Sequence, residues 1–197
     1  MIGILNYGMG NILSVYNALK FLNSNVILIK PNELEKVDSL VLPGVGAYKD
    51  TINLLKPYEK KISSFLSSEK PFLGICIGLQ YLYEKSNENK SYNGLGFFKG
   101  SIKKLSAEKL PQIGWNTIDI KKNSPLLEDI PNKSYVYYIN SYGADTKYAS
   151  ATSNYGKKFA AVVEKNNVFA TQFHPEKSGE VGLKILKNFI KVTKKCL

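Results

Sequence analysis

The chain opens on an apolar run, residues 1–7, that stops at Gly8-Met9-Gly10-Asn11. From there Ile12, Val15, Leu19 and Leu22 recur at helical spacing, which predicts an amphipathic helix over about 11–22. Asn25 to Lys30 reads as the next strand, and Asn32 with Glu35 three residues on resembles a capping box for a short helix. Ser39 to Leu42 is a third strand, ending at Pro43-Gly44-Val45-Gly46. Helical stretches near 46–56 and 58–69 follow, then a buried strand from Pro71 to Ile75 that runs into Cys76, then a helix over about 77–86.

Strand and helix alternate through this half, the signature of a mainly parallel sheet covered on both faces. The second half is richer in strand, with candidates near 101–105, 112–119, 134–140, 159–164 and 167–172. A last helix over 178–195 carries Val181, Ile185, Phe189 and Val192 on one face, and 86–96 and 121–133 read as polar loops. No internal repeat, low-complexity tract or linker interrupts the pattern. The expected fold is α/β, a three-layer sandwich around a mainly parallel (mixed) central sheet, in one domain spanning 1–197.

That architecture says where to look for chemistry. Open α/β sheets bind ligands outside the carboxyl ends of their strands. Gly8–Asn11, Pro43–Gly46 and Cys76 all fall at such ends, so three separate stretches converge on one crevice.

Composition narrows the classes. The net charge is +11, which raises nucleic acid as a partner, but all 27 basic residues are lysines. Arginine, the usual bidentate reader of guanine, is missing, and the lysines are scattered, so the charge reads as solvated surface rather than a nucleic-acid face. No apolar run approaches the roughly 20 residues that span a bilayer, and the N-terminal run reads as a strand rather than a signal peptide. A cytoplasmic enzyme with no membrane association is the expectation. The two cysteines, Cys76 and Cys196, lie in unlike surroundings and suggest no disulfide framework; Cys196, beside Lys194 and Lys195, reads as incidental.

Gly74-Ile75-Cys76-Ile77-Gly78 follows an apolar strand and opens a helix, the nucleophile-elbow pattern with cysteine in the serine position. Flanking glycines let backbones approach around a tight turn. The helix N-terminus supplies unpaired N–H groups and partial positive charge that favour the thiolate, and the Ile77 N–H would point toward an oxyanion beside the sulfur. The plain alternative is a small buried residue at a strand–helix junction. A cysteine nucleophile needs a base, and the chain holds one histidine, His174, in Gln172-Phe173-His174-Pro175-Glu176, again at a strand end. Glu176 can fold back on the imidazole to orient it. An ordinary strand-end histidine beside a surface glutamate is the alternative here. A metal site is disfavoured, since one histidine and one nearby cysteine are too few ligands, and no cofactor is expected.

Together these residues resemble the class I glutamine amidotransferases, a family with a flavodoxin-like α/β domain. The resemblance is closer still to glutaminase subunits of imidazole glycerol phosphate synthase, whose motifs stand here as Tyr7–Asn11, Leu42–Gly46, Gly74–Gln80, Gly114–Asn116 and His174–Ser178. It implies that Cys76 attacks the side-chain amide of L-glutamine to form a thioester, that His174 is general base and acid, and that Glu176 orients it. It further implies an oxyanion hole from Ile77 and the Gly44–Val45 backbone, and substrate contacts from Gln80 and the Asn140-Ser141-Tyr142 segment. Ammonia would pass to a (β/α)8-barrel cyclase partner in a heterodimer of histidine biosynthesis, facing Gly10, Asn11, Trp115, Tyr137 and Lys177. For Trp115 a core aromatic is the plain alternative.

Two positions depart from the family pattern: Gln112 and Asn140 stand where histidines are common. They leave open a sugar-modifying synthase as the acceptor of the ammonia. A partner-free γ-glutamyl peptidase and a non-enzymatic basic binding domain are the other readings.

Overall fold

The computed structural model describes residues 1–196. Thirteen strands and five helices follow one another: β1 (Ile2–Leu5), α1 (Ile12–Phe21), β2 (Val26–Ile29), β3 (Ser39–Leu42), α2 (Tyr48–Leu55), α3 (Glu59–Ser67), β4 (Phe72–Ile75), α4 (Ile77–Tyr81), β5 (Tyr83–Ser86), β6 (Phe98–Lys104), β7 (Gln112–Thr117), β8 (Asp119–Ile120), β9 (Tyr135–Asn140), β10 (Tyr142–Ala144), β11 (Ala149–Tyr155), β12 (Lys157–Lys165), β13 (Val168–Thr171) and α5 (Gly179–Lys195).

The central sheet has the order β2-β1-β3-β4-β13-β12-β11-β8. Pairing is parallel from β2 through β13 and antiparallel from there to β8. The alternation of strand side chains divides the interior in two. Ile2, Ile4, Val41, Leu73, Ile75 and Phe169 join the core under α1 and α5. Leu5, Leu40, Leu42, Phe72, Val168 and Ala170 join the opposite core under α2 and α3. On that second side a small sheet, β10-β6-β5, contributes Tyr83, Phe98 and Ile102, while the β7–β9 ribbon lies on the α5 side through Val136 and Tyr138. The expected three-layer mixed α/β arrangement is the one observed. Among the described residues no helix is long and apolar enough to cross a membrane.

Four local expectations need correction. The helix expected over 77–86 ends at Tyr81, and Tyr83–Ser86 forms β5, pairing with β6 through Tyr83 and Phe98. Around residue 34 only a single 3-10 turn forms, Leu34–Lys36, with Glu33 rather than Asn32 at the N-cap position and no side-chain cap bond. Glu33 Oε2 accepts the Lys30 N–H and Oε1 holds Lys36 Nζ. The strand expected over 112–119 breaks at Ile118, sending β7 to the ribbon and β8 to the edge of the main sheet. The polar loop 121–133 buries Leu126, Leu127 and Ile130 against α5.

One buried side chain ties that loop to α5 through its backbone. Asn188, fully buried in α5, donates its Nδ2 to the carbonyls of Leu126 at 3.1 Å and Glu128 at 2.8 Å. Replacing it with leucine keeps the volume but strands both carbonyls, at about 1–3 kcal/mol. Asn188→Leu should lower the unfolding free energy from a urea titration by that amount, and reactivity at Cys76, in another part of the fold, should stay as it is. An unchanged unfolding free energy would show that these two hydrogen bonds do not stabilise the loop.

Candidate active site

Cys76 leaves β4 with φ 54° and ψ −102°, outside the regions L-residues ordinarily occupy. Its own N–H donates to Thr171 O at 2.7 Å, and its carbonyl accepts the N–H groups of Leu79 at 3.0 Å and Gln80 at 3.2 Å. The turn tolerates no side chain on either flank. A Cβ on Gly74 would stand 2.8 Å from Gly78 O, and one on Gly78 would run into Leu42 O. The thiol is thereby carried at the start of α4, where the N–H of Ile77 has no intrahelical partner.

β4 and β13 are parallel neighbours with Ile75 opposite Thr171, so the segment after β13 emerges beside the nucleophile. His174 follows there, its N–H donating to Tyr137 O at 2.9 Å, and its ring is buried. Nδ1 lies 2.8 Å from Glu176 Oε1, with both side chains 1% exposed. Since a carboxylate only accepts, Nδ1 is the protonated nitrogen of that contact. Nε2, at the other end of the ring, has no hydrogen-bond partner among the described residues. Burial pulls the imidazole pKa down; the interactions with Cys76 and then with Glu176 outweigh it and push the pKa up to about 10. The protonated imidazole is thus the favoured form of this ring.

A pocket of about 220 Å³ opens beside the sulfur, lined by Val45, Ile77, Gln80, Asn140, Ser141 and Tyr142 among others. Of the residues expected at the substrate, Gln80, Ser141 and Tyr142 therefore gather at Cys76, as does Val45 of the expected oxyanion loop. Gly44 does not line the pocket; it packs under Ile77, where any side chain would collide with the Ile77 Cγ2. The Gln80 Nε2 is engaged internally, donating to Gln172 Oε1. Gln112 and Asn140 face each other across the β7–β9 ribbon, both buried, and Asn140 Nδ2 donates to Tyr142 O at 3.0 Å.

Sequence reasoning missed Glu88, the one carboxylate in the pocket lining. It sits in a stretch read only as a polar loop, and its Oε1 accepts the Tyr48 N–H at 3.0 Å. Nothing in the local pattern marks it, because it acts from the tertiary meeting of that loop with α2. A wider cleft of about 630 Å³ lies between α5 and residues 120–130, but its Glu128 is paired with Lys191 and it holds no nucleophile. Among the described residues no group of three or more His, Cys, Asp or Glu side chains could hold a metal.

The residues expected to face a partner lie around the turn that carries His174 and Glu176. Asn11 Nδ2 reaches Glu176 Oε1 at 3.5 Å from the start of α1, beside Gly10. Lys177 is exposed on the turn after His174. Trp115 and Tyr137 pair across the ribbon with ring centroids 5.8 Å apart. Trp115 is 54% exposed, which sets aside the core-aromatic alternative, and Leu13, Ile113 and Tyr135 are likewise exposed.

A family profile described as class-I glutamine amidotransferase matches residues 4–192. The chain is 43% identical over 195 residues to the imidazole glycerol phosphate synthase subunit HisH of Methanocaldococcus jannaschii, covering 98% of this chain and 100% of the relative. It is 46% identical to the HisH subunit of Caldanaerobacter subterraneus subsp. tengcongensis, with both chains fully covered. In fold it is similar to a solved glutamine amidotransferase (TM-score 0.77, 17% identity, 98% of each chain) and to PurLQS from Thermotoga maritima (TM-score 0.77, 20% identity, 97% of each chain).

The sole histidine makes the site's electrostatics directly measurable. A raised folded-state pKa means that the interactions of the imidazolium stabilise the fold fully below the ordinary histidine value and that this contribution fades as pH rises toward about 10. In a proton NMR titration the single imidazole signal should titrate far above the ordinary value. The midpoint should drop in Glu176→Gln and drop further in Cys76→Ser, following the order of the two interactions. A wild-type midpoint near 6.5 would refute the pairing.

Proposed function

The chain belongs to the class-I glutamine amidotransferase family, in its HisH branch, and from that premise we propose that it is the glutaminase of imidazole glycerol phosphate synthase, working through Cys76, His174 and Glu176. The observation that carries the reading is the strained cysteine at the mouth of a small pocket, beside a buried histidine–glutamate pair.

In this mechanism the Cys76 thiol gives its proton to His174 Nε2, and the sulfur attacks the side-chain carbonyl carbon of glutamine. The Ile77 N–H, with a backbone N–H from the Gly44–Val45 loop, receives the developing oxyanion. As the C–N bond breaks, the His174 proton leaves with the nitrogen as ammonia, and a γ-glutamyl thioester remains on Cys76. Water, deprotonated by His174, then attacks the thioester, releasing glutamate and restoring the thiol. Glu176 holds the imidazole and balances its charge through both halves. At the far end of the substrate, Glu88 supplies the negative charge that an α-ammonium requires, while Ser141 and Tyr142 line the rest of the pocket.

Ammonia set free in water would be protonated and lose its nucleophilicity, so delivery through a dry passage to a second subunit is the physically economical outcome. The exposed aromatic surface of Trp115 and Tyr137, with Gly10, Asn11 and Lys177, suits a cyclase subunit of (β/α)8-barrel type. The relatives at 43% and 46% identity are HisH subunits, which favours the histidine-pathway acceptor over a sugar-modifying synthase. A cytoplasmic location accompanies that pathway.

A glutamine-mimicking electrophile should form its adduct on Cys76, as mapped by mass spectrometry; labelling of Cys196 in its place would overturn the mechanism. Glu88→Gln should raise KM for glutamine about tenfold to a hundredfold with kcat little changed, because it removes a charged contact made equally in ground and transition states. A fall confined to kcat would remove Glu88 from substrate binding.

Trp115, the only tryptophan, reports on the partner. Titration with a cyclase subunit of imidazole glycerol phosphate synthase should shift its fluorescence, and Trp115→Ala should weaken binding about tenfold or more. Unaltered fluorescence at saturating cyclase would place the interface elsewhere.

A further inference from the structure

Gln172 has no part in the mechanism above, yet it is fully buried directly beside the nucleophile. The register of β4 and β13 places it there: Thr171 pairs with Ile75, so Gln172 and Cys76 leave the sheet side by side. Its Nε2 donates to Cys76 Sγ at 3.6 Å, and its Oε1 accepts from Gln80 Nε2 at 3.4 Å. Gln80 is itself only 4% exposed. Two carboxamides are therefore threaded in line through a dry interior, ending on sulfur. An apolar side chain of similar length would fill the space without the roughly 1–3 kcal/mol at stake in every buried amide left unpaired.

The direction of the chain carries the inference. A carboxamide can be turned either way, and turned round it would set a carbonyl oxygen against the sulfur, which opposes a thiolate. Gln80 opposes that turn: its Nε2 donates to Gln172 Oε1 and so keeps Gln172 Nε2 toward Cys76, while its own Oε1 has no hydrogen-bond partner among the described residues. The sulfur also lies 3.7 Å from Ile139 O. That carbonyl can accept the thiol proton but is repelled by the thiolate. Once the proton has moved to His174, the Gln172 N–H is the neutral donor still facing the sulfur, and it neither gains nor loses a proton during the reaction.

We propose that Gln172 is a further catalytic residue of this site: its Nε2–H donates to Cys76 Sγ and stabilises the attacking thiolate, while Gln80 is a positioning residue that locks the Gln172 amide in the donating orientation. The proposal rests on the reading of Cys76 as the nucleophile. It also gives Gln80 a role behind the sulfur, in addition to its place in the pocket lining.

The test uses the full chain and iodoacetamide, which reacts with thiolates and needs no glutamine. Alkylation rates at Cys76 and Cys196 are read separately by peptide mass spectrometry, with the ultraviolet thiolate absorbance recorded at neutral pH. Exposed Cys196 serves as the internal control. Gln172→Met, which keeps length and removes the donor, should slow alkylation of Cys76 about tenfold and lower the thiolate absorbance, with Cys196 unchanged. Gln172→Glu should slow it further, because a carboxylate then faces the sulfur. Gln80→Met should give a smaller loss, since the Gln172 amide becomes free to turn. Cys76 rates within about twofold of wild type in Gln172→Met and Gln172→Glu would overturn the proposal. If Gln172→Met fails to fold, Gln172→Glu and Gln80→Met decide it by the same criterion. Failure of the glutaminase reading looks different: the iodoacetamide series would hold while the glutamine-mimicking electrophile left Cys76 unlabelled.

Discussion

The parallel pairing of β4 with β13, closed by the 2.7 Å hydrogen bond from the Cys76 N–H to Thr171 O, is the constraint on which the site depends. A non-glycine residue at positive φ costs on the order of 1–3 kcal/mol and persists only where its surroundings over-determine it. Here the surroundings do so from every side. Gly74 and Gly78 allow the strand and the helix to touch, Leu42 O closes the space beneath Gly78, and the first turn of α4 is tied to the Cys76 carbonyl. Once the turn is held, the adjacent strand end delivers Gln172 to the sulfur, and the turn beyond it delivers His174.

The same wiring joins the site to the exposed ribbon. His174 N donates to Tyr137 O, Ser178 Oγ receives the Tyr137 N–H at 2.9 Å, and the same Oγ donates to His174 O at 2.6 Å. Tyr137 is therefore clamped on both backbone groups to the turn that carries the base and Glu176. Its side chain meanwhile pairs with Trp115 on the outer face. One strand holds the imidazole from behind and shows aromatic surface in front, so the proposed cyclase would rest on the element that positions the base.

Much of this was legible in the chain itself, and the reasons differ by element. The parallel half reads clearly because buried strands are continuous apolar runs and the intervening helices are amphipathic. The elbow reads clearly because an apolar strand, a cysteine with glycines two residues to either side and a helix start all fall in one short segment, and the base because there is one histidine. β5 was hidden because Tyr83-Glu84-Lys85-Ser86 continues a helical pattern and becomes a strand only by pairing with β6. β11 was hidden because its inward residues are Ala151, Ser153 and Ser150, too small and polar to raise an apolar signal; the glycine at its hairpin turn, Gly156 with φ 66°, was the available cue. Glu88 and Gln172 were illegible for a deeper reason: each is an ordinary polar residue whose meaning comes wholly from what the fold sets opposite it.

The distribution of charge argues for how such a site would favour its substrate and release its product. The chain carries an excess of 11 positive charges, yet no lysine lines the pocket, whose only carboxylate is Glu88. The reacting end is built from amides, backbone and a buried base. In the proposed reaction a neutral carboxamide enters that end without opposing the thiolate. A γ-carboxylate in the same place would lie against the sulfur and be repelled by it, as like charges in a shared low-dielectric site are. On that reading glutamate would bind less well than the glutamine it came from, because hydrolysis of the thioester places a new negative charge at the reacting end. The amide line Gln80–Gln172 sharpens this asymmetry, because it is strongest when the only negative charge beside it is the thiolate of Cys76.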